Sequence, residues 1–293
     1  MTIWPDCIPC IVQMSLDIAL ACIKEEIEIK AFMNEILGLP PLRGEKWDIT
    51  SPEISEMVWH SIVRITKDED PLRDLKAKQN QNALDLYGTA RDRVKESKDP
   101  LLSALRFAIA GNLLHPAVSS IHDQPAHGFQ PHPAGDWPMT DEAAEVLRNR
   151  LQKATGIVYL LDNCGEIVFD KLFLEIVKEM YDREVWVIAR GRPILNDATT
   201  VEAISVGLPT VATVIENGIT IPFAGTRLDL VSSKVRDLLV GADLILAKGG
   251  GNLQSLSEES ELKGRISFLF HGRCRPRHAP RGVSKGTLIV DNR

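Results

Sequence analysis

The chain has 293 residues, 44% of them hydrophobic and 25% charged, which is ordinary for a globular protein with a full core. The 40 acidic residues outnumber the 34 basic ones, which argues against nucleic acid as the main partner and leaves small anionic substrates open. The sequence has no apolar run near the ~20 residues that span a bilayer, and residues 1–6 lack the pattern of a signal peptide. We therefore expect a cytoplasmic protein without a membrane partner, whose five cysteines are mostly reduced thiols.

The first part of the chain, residues 1–138, is predicted to be a helical region, with glycine and proline signals between the helices. Ser51 is the predicted N-cap of the second of these helices, with a proline at its first position. The predicted helices cover residues 7–37, a segment that opens at 51, 71–94 and 101–110. Residues 114–138 are rich in Pro, His and Gly without periodicity, so we expect a loop there.

The second part, residues 139–293, alternates between predicted strands and helices after a first helix that begins at Thr140. Strands are predicted at 157–161, 185–189, 210–215, 243–247 and 286–291. Helices are predicted at 167–181, 199–206, 227–239 and 253–262. Because alternating strands and helices form parallel sheets covered on both faces, we predict a three-layer α/β/α sandwich, with residues 139–293 as the α/β domain that carries the site.

Three polar clusters follow the apolar runs at 157–161, 185–189 and 243–247. Each run has the length and branching of a buried parallel strand. In an open α/β sheet, ligands bind outside the carboxyl ends of the strands. The hard oxygen ligands, the lysine and the glycines of these clusters should therefore meet at one place, which is the chemistry of a divalent cation that holds a phosphate.

The first two clusters supply candidate metal ligands, Asp162 and Asn163 in one and Asp197 in the other. At a strand end where Gly165 lets the chain turn, both Asp162 and Asn163 can point into the crevice. Carboxylate and amide oxygens suit Mg²⁺, Mn²⁺ and similar ions, and three protein ligands leave positions open for water and a phosphate oxygen. The alternative is a simple turn, with Asp197 as the N-cap of the next helix.

The third cluster, Lys248, Gly249, Gly250, Gly251 and Asn252, lies between a strand and a helix. Its backbone N–H groups can form an anion-binding nest, and the lysine adds a point charge. It is not a Walker A loop, because no Lys-Ser/Thr follows the glycines, and it is a poor dinucleotide fingerprint. A flexible strand-to-helix turn is the alternative, but three consecutive glycines exceed what a turn needs and favour phosphate.

Three further groups have open roles. Glu166 could orient a metal-bound water or act as a base, or it could stabilise its helix through the macrodipole. Arg192 could hold an anionic substrate, as could Arg190, or both could be ordinary surface residues. Cys7 and Cys10 form one C-x-x-C pair without a second, so half of a zinc site, a redox pair and two semi-buried thiols on a helix face are all open.

At this point the motifs resemble a known family. The segments Asp162-Asn-Cys-Gly-Glu166, Pro193-Ile-Leu-Asn-Asp-Ala-Thr199 and Ala247-Lys-Gly-Gly-Gly-Asn252, in this order, resemble the DUF89 family, the damage-control phosphatases. The resemblance covers nearly the whole chain. The motifs that look like the prokaryotic, cysteine-containing branch of the family are Cys7-Ile-Pro-Cys10, Asp70-Pro71 with Lys76 and Asn80, and Gly111-Asn112.

The resemblance implies an α/β/α sandwich and metal-dependent hydrolysis of small phosphate esters, often sugar phosphates or damaged metabolites. By position it implies that Asp162, Asn163 and Asp197 bind the metal, with Mn²⁺, Co²⁺, Ni²⁺ or Mg²⁺ favoured. It also implies that Lys248 contacts the phosphate and that Asn112 faces the same cleft. The chain departs from the family pattern in the His/Pro-rich stretch after Asn112 and again near 271–283, where Arg273 stands in place of a lysine.

The sequence therefore predicts a phosphomonoester hydrolase that uses a metal-activated water, with a small phosphorylated metabolite as its partner. One alternative is a module that binds a phosphorylated ligand at the same glycine cluster without turnover. The other is a thiol-redox or zinc protein that uses Cys7 and Cys10. The sequence leaves the oligomeric state and the physiological substrate open.

Overall fold

The computed structural model describes residues 1–114 and 137–293, and helices make up its first part. These helices are α1 (Cys7–Cys22), α2 (Glu26–Leu37), α3 (Ser51–Thr66), α4 (Arg73–Glu96), α5 (Pro100–Leu114) and α6 (Asp141–Lys153). The loop predicted at 114–138 lies almost wholly outside the described residues. Within the described residues, no helix combines the length and the apolar composition that a membrane span requires.

From residue 156 onward, strands and helices alternate. The elements are β1 (Gly156–Leu160), α7 (Glu166–Tyr181), β2 (Glu184–Ala189), α8 (Thr200–Ser205), β3 (Thr213–Glu216), α9 (Ser233–Gly241), β4 (Leu244–Lys248), α10 (Gly249–Leu256), β5 (Ile266–His271), α11 (Arg275–His278) and β6 (Leu288–Asn292). Short 3₁₀ turns occupy Leu208–Thr210, Ser260–Leu262 and Ala279–Arg281. All five predicted strands are present within a few residues of their predicted positions.

The strands form a six-stranded sheet in the order β3-β2-β1-β4-β5-β6. Every neighbouring pair is parallel except β5 and β6, which are antiparallel. The chain builds outward from β1 to β3 and then returns to place β4 on the other side of β1. Ligands in open α/β sheets bind at the carboxyl ends of the two strands where the order reverses, here β1 and β4.

Side chains of the sheet alternate between two apolar cores, as the pleat of a strand requires. In β1, Ile157 and Tyr159 belong to the core that helices α4 to α8 cover. Val158 and Leu160 belong to the core beneath α9 and α10. Both faces of the sheet are therefore covered by helices, and the predicted three-layer α/β/α class is confirmed.

A third apolar core holds helices α1, α2 and α3 together. It also includes Ile194 and Leu195 from the segment after β2, and Ala224 from the segment after β3. These three helices therefore stand over the carboxyl end of the sheet. Helices α4 and α5 instead share the core of α7, and the division into domains at residue 138 stays a prediction.

Some local predictions were wrong. The helix predicted at 7–37 is broken at Ile23, whose extended backbone lets its side chain enter the apolar core around α1. Thr50, not Ser51, is the N-cap of α3, because it forms a reciprocal capping box with Glu53. Strand β5 was not predicted, and all six of its side chains are buried.

The start of α10 differs from the prediction in a way that matters for the site. The sequence predicts a glycine loop followed by a helix from 253, but the helix begins at Gly249 itself. The three glycines therefore form the first turn of α10 instead of a loop in front of it.

Candidate active site

Asp162 and Asn163 lie just beyond the end of β1, at the entrance to α7. Gly165 lets the chain turn there because its φ of 78° lies in the region that favours glycine. The Gly165 N–H donates a 2.6 Å hydrogen bond to Oδ1 of Asn80 on α4, which holds the turn in place. Asp162 and Asn163 both line a cavity at this end of the sheet.

Asp197 comes to the same place from the segment after β2. The Ala198 N–H donates to the Asp162 carbonyl oxygen at 2.8 Å, and the Cys164 N–H donates to the Asn196 carbonyl oxygen at 2.8 Å. Asn163 and Asp197 thereby face each other in an antiparallel bridge. The three predicted metal donors thus line one cavity, fixed by backbone hydrogen bonds.

Arg190 joins the two aspartates from the buried side. Its Nε donates to Asp197 Oδ2 at 2.6 Å, and its Nη2 lies 3.4 Å from Asp162 Oδ1. Its Nη1 donates to Asn252 Oδ1 at 3.2 Å. The sequence suggested Arg190 only as an anion ligand or a surface residue, yet it is 3% exposed. An arginine directly after the β2 apolar run was the available signal, since that position is at the carboxyl edge of the sheet.

The buried location of the two aspartates changes their titration. Burial raises the pKa of Asp162 above the usual carboxyl range, and the nearby charges of Asp197 and Glu166 add to the effect. Burial also raises the pKa of Asp197, whereas Arg190 acts in the opposite direction on both aspartates. Keeping both carboxylates ionised therefore costs free energy, and a cation bound in addition to Arg190 would offset that cost.

Lys248 lies at the end of β4, fully buried, and its ammonium points away from the cavity. It donates to the Ala108 carbonyl oxygen at 2.8 Å, to Asp170 Oδ1 at 2.7 Å and to Glu166 Oε1. Burial alone would lower the pKa of Lys248, but the charges of Asp170 and Glu166 outweigh it and raise that pKa. All three ammonium hydrogens have acceptors within the protein. The phosphate contact that the resemblance implies for Lys248 is therefore not seen here and stays a prediction.

Glu166 is the first residue of α7 and is buried beside this lysine. Its Oε2 lies 3.4 Å from the Asn163 side-chain nitrogen, which also donates to Asp162 Oδ2 at 2.9 Å. Glu166 therefore connects the lysine to Asn163. Its predicted roles as a base or as a water ligand stay predictions, because its side chain is not among the described groups that line the cavity.

At each of the three glycines, a neighbouring group lies so close that a side chain would not fit. A Cβ on Gly249 would lie 1.7 Å from Asp162 Oδ2, and one on Gly250 would lie 1.7 Å from the guanidinium of Arg277. A Cβ on Gly251 would lie 2.0 Å from the carbonyl oxygen of Ala224. The N-cap residue of α10, Lys248, makes no side-chain cap hydrogen bond, and the first-turn N–H groups of a helix attract anions. Binding of phosphate by this turn stays a prediction.

Asn252 is buried within α10 and holds neighbouring residues of the site in position. Its Nδ2 donates to the Leu161 carbonyl oxygen at 3.1 Å, and its Oδ1 accepts from Thr226 Oγ1 at 2.8 Å as well as from Arg190. These bonds tie α10 to the end of β1. The hydrogen bonds assign Asn252 a positioning role, and its predicted contact with phosphate stays untested.

Arg192 lies apart from the site. Its side chain is 53% exposed and 3.9 Å from Glu69, and it does not line the cavity. An exposed pair at this distance contributes little to stability. The predicted role of Arg192 in phosphate binding has no support in this geometry. Asn112 lies in α5, but its side chain is outside the described part of the structure, so its predicted position in the cleft stays a prediction.

The cavity has a volume of about 360 Å³, within the range of small-molecule sites. Helices α1 and α3 and the segment after β5 close it opposite the sheet. Besides Asp162, Asn163 and Asp197, its lining includes Cys7, Cys10, Ser51, Gly250, Gly251, Gln254, Arg273, Cys274 and Arg277. The sequence did not predict that the cysteine pair and the two C-terminal arginines would reach the same cavity, because they are far apart along the chain.

The cysteines are free thiols. Cys7 is half-buried, and burial raises its pKa, with Cys274 and Cys10 close enough to raise it further. In residues 1–111 and 137–293, no group of three or more His, Cys, Asp or Glu side chains is placed to hold a metal. The role of Cys7 and Cys10 stays open, and the predicted metal set contributes two carboxylates and one amide.

Comparisons with known proteins agree with this fold. The model of the damage-control phosphatase ARMT1-like domain matches residues 3–289. The chain belongs to this family. A crystal structure of a DUF89 family protein from Pyrococcus horikoshii superposes with a TM-score of 0.81 at 24% identity, over 100% of this chain and 99% of the other. That likeness concerns the fold.

Curated relatives match over most of their length. An uncharacterised protein of Methanocaldococcus jannaschii is 29% identical over 98% of this chain and 94% of its own. A damage-control phosphatase of Pyrococcus horikoshii is 28% identical over 87% of this chain and 86% of its own. One from Archaeoglobus fulgidus is 28% identical over 94% and 90%. The resemblance found in the motifs is therefore confirmed as family membership.

Proposed function

We propose that this protein is a metal-dependent phosphatase that hydrolyses small phosphate monoesters, such as sugar phosphates or damaged phosphometabolites. The observation that carries the proposal is the convergence of Asp162, Asn163 and Asp197 on one cavity, beside the first turn of α10. Hard oxygen donors next to an anion-binding helix end are what a cation–phosphate site requires. The names of the relatives from P. horikoshii and A. fulgidus support the same class of activity.

The charges around the site fit a divalent cation. The site holds four buried carboxyl groups, those of Asp162, Glu166, Asp170 and Asp197. Lys248 pairs with Glu166 and Asp170, and Arg190 pairs with Asp162 and Asp197. A cation at the cavity side of the aspartates would offset the cost of keeping both of them ionised. Asp162, Asn163 and Asp197 would hold it, and Mn²⁺, Co²⁺, Ni²⁺ and Mg²⁺ all accept such oxygen donors.

When bound, a divalent cation supplies Lewis-acid polarisation of the phosphoryl group and acidifies water. The residues of the chain do the positioning. Arg190 holds Asp197 through its Nε and Asp162 through its Nη2, and Asn252 holds Arg190 by accepting from its Nη1. The N–H groups of Gly250 and Gly251 face the same cavity and can bind phosphoryl oxygens, where charge develops during transfer.

The direct test is release of phosphate from p-nitrophenyl phosphate and a panel of sugar phosphates, with EDTA or with each divalent ion. We expect metal-dependent release by the wild type and its loss in Asp162→Ala. As a matched control, Asp229→Ala removes an exposed aspartate whose partner is Arg227 and should leave release unchanged. Release that persists in EDTA or in Asp162→Ala would contradict the proposal.

Two other functions give different results in the same assay. A phosphate-binding module would bind inorganic phosphate without releasing any from esters. A thiol enzyme would lose its activity when Cys7 and Cys10 are both replaced by Ser, whereas the proposed phosphatase should retain most of its metal-dependent release. The pair lines the cavity without contacting the metal donors in any hydrogen bond of the described structure.

A further inference from the structure

Helix α4 carries a stripe of polar side chains that are buried, those of Lys76, Gln79 and Asn80. Their spacing places all three on one face of the helix. Burying a polar side chain costs free energy unless it has a partner, so the partners indicate what this face does. They lie in the two segments that carry the proposed metal donors, the β1 turn (residues 161–165) and the β2 turn (residues 190–199), or directly after them.

Two neighbouring residues of α4 each hold one of the two turns. Asn80 Oδ1 accepts the 2.6 Å hydrogen bond from the Gly165 N–H, at the end of the β1 turn. Gln79 Oε1 accepts a hydrogen bond at 3.3 Å from the side-chain nitrogen of Asn196, the residue before Asp197 in the β2 turn. Because Gln79 and Asn80 are adjacent on a rigid helix, they fix the β1 and β2 turns relative to each other.

Lys76 holds the far end of the β2 turn through an acidic residue of α8. Its ammonium lies 2.7 Å from Glu202 Oε1 and 2.6 Å from Asp70 Oδ2, and the lysine side chain is fully buried. The other oxygen of Glu202 accepts a hydrogen bond from the Thr199 N–H at 2.9 Å. Thr199 is two residues beyond Asp197, so α4 contacts the β2 turn before this aspartate and, through Glu202, after it.

The side chains of α4 act from behind the metal donors. No residue of α4 is among the described groups that line the cavity, so this helix does not reach a ligand there. The two turns also bond directly to each other, from the Ala198 N–H to the Asp162 carbonyl oxygen and from the Cys164 N–H to the Asn196 carbonyl oxygen. The polar face of α4 supports this pair of turns on the side away from the cavity.

We propose that the buried polar face of α4 sets the spacing of the β1 and β2 turns, and thereby the affinity of the site for its divalent cation. Asn80 and Gln79 are the main positioning residues. The inference rests on the proposed phosphatase function, because that function identifies Asp162, Asn163 and Asp197 as the cation donors. A divalent cation needs its oxygen donors at fixed distances, and groups that orient metal ligands commonly change metal affinity by 10- to 100-fold.

The first readout is the Kd for Mn²⁺, measured by electron paramagnetic resonance at a temperature where every variant is folded. Asn80→Ala should raise this Kd by roughly 10- to 100-fold, and Gln79→Ala by a smaller factor because its hydrogen bond is longer. The matched control is Val94→Ala, which removes buried apolar contacts from the last turn of the same helix, away from both turns. It should lower stability and leave the Kd for Mn²⁺ unchanged.

The second readout needs no metal. Hydrogen exchange of the Gly165 amide, followed by NMR in metal-free protein, should be roughly 3- to 10-fold faster in Asn80→Ala, the effect of losing one typical hydrogen bond. Asn80→Asp keeps an oxygen acceptor for this amide and should keep its exchange slow. Val94→Ala should leave the Gly165 amide as it is in the wild type.

The two readouts separate the possible failures. An unchanged Kd for Mn²⁺ in both Asn80→Ala and Gln79→Ala, or an equal rise in Val94→Ala, would overturn the role of α4 and leave the proposed function standing. Unchanged exchange of the Gly165 amide in Asn80→Ala would overturn it as well. A wild type that binds no Mn²⁺ would contradict the proposed function, whereas faster Gly165 exchange in Asn80→Ala would still support the positioning of the β1 turn by α4.

Discussion

The Asp162 carboxylate fills the space in which a side chain of Gly249 would stand, with Oδ2 only 1.7 Å from the position of that Cβ. This contact joins the end of β1 to the start of α10 across the point where the strand order reverses. It explains why the residue after Lys248 is a glycine: its φ of +76° and the carboxylate both exclude a side chain.

Replacement of Gly249 by Ala should therefore displace Asp162 and abolish most metal-dependent phosphate release. The left-handed backbone alone should lower the free energy of unfolding by roughly 1–2 kcal/mol. Gly241→Ala is the matched control, because a Cβ there meets nothing within 4 Å. Denaturant titrations and phosphate release measure both effects. Full activity in Gly249→Ala would show that the position of Asp162 is not important.

Arg190 should act by positioning the two aspartates. Arg190→Lys keeps the charge but cannot reach Asp162, Asp197 and Asn252 at once, so the activity should fall roughly 10- to 100-fold, as for other groups that orient metal ligands. The melting temperature should change less, since a buried positive charge remains. Arg192→Lys, on the exposed neighbour, should have no effect on phosphate release. Equal kcat/KM in Arg190→Lys and the wild type would contradict this role.

Lys248 should contribute mainly to stability. Its replacement by Met leaves the carboxyl groups of Glu166 and Asp170 buried without their counter-ion, which should cost about 3–5 kcal/mol of unfolding free energy. Denaturant unfolding measures the loss, and Lys263→Met on the exposed surface is the control. Adding Glu166→Gln and Asp170→Asn to Lys248→Met should recover part of the stability. A Lys248→Met protein with wild-type stability would mean that the buried ion pairs contribute little.

His271 gives a specific pH dependence. Burial, with the charges of Arg273 and Arg277, lowers the pKa of His271 to about 4 in the folded protein. The unfolded chain binds the proton near the ordinary value of about 6.5, so the stability present above pH 6.5 is lost as the pH falls towards 4. The wild type should lose roughly 3 kcal/mol relative to His271→Gln over that interval. His60→Gln, on an exposed helix position, is the control, and its free energy of unfolding should change with pH as that of the wild type does.

Strands β1, β2 and β4 were predictable because each is a short apolar run with a polar cluster after it. Strand β5 was not predicted, and its burial depends on β4 and β6 on either side. The start of α10 was predicted wrongly because a run of three glycines is typical of a loop. Glycine is required at these helical positions because neighbouring side chains and backbone occupy the space that a Cβ would take.

The candidate site was predictable in part. Asp162, Asn163 and Asp197 follow strands, so topology alone brings them to one edge of the sheet. The direction of Lys248 was not predictable, since it depends on Asp170, one turn further along α7 than Glu166. Arg277 could not be placed either, because nothing near it in sequence indicates that it contacts the first turn of α10.

The most direct test of the account is an anomalous difference map from crystals grown with Mn²⁺. The account predicts one peak in the cavity, coordinated by side-chain oxygens of Asp162, Asn163 and Asp197, and its disappearance in Asp162→Ala crystals grown in the same way. A peak held instead by the thiols of Cys7, Cys10 or Cys274, or a map without any peak at the aspartates, would contradict it.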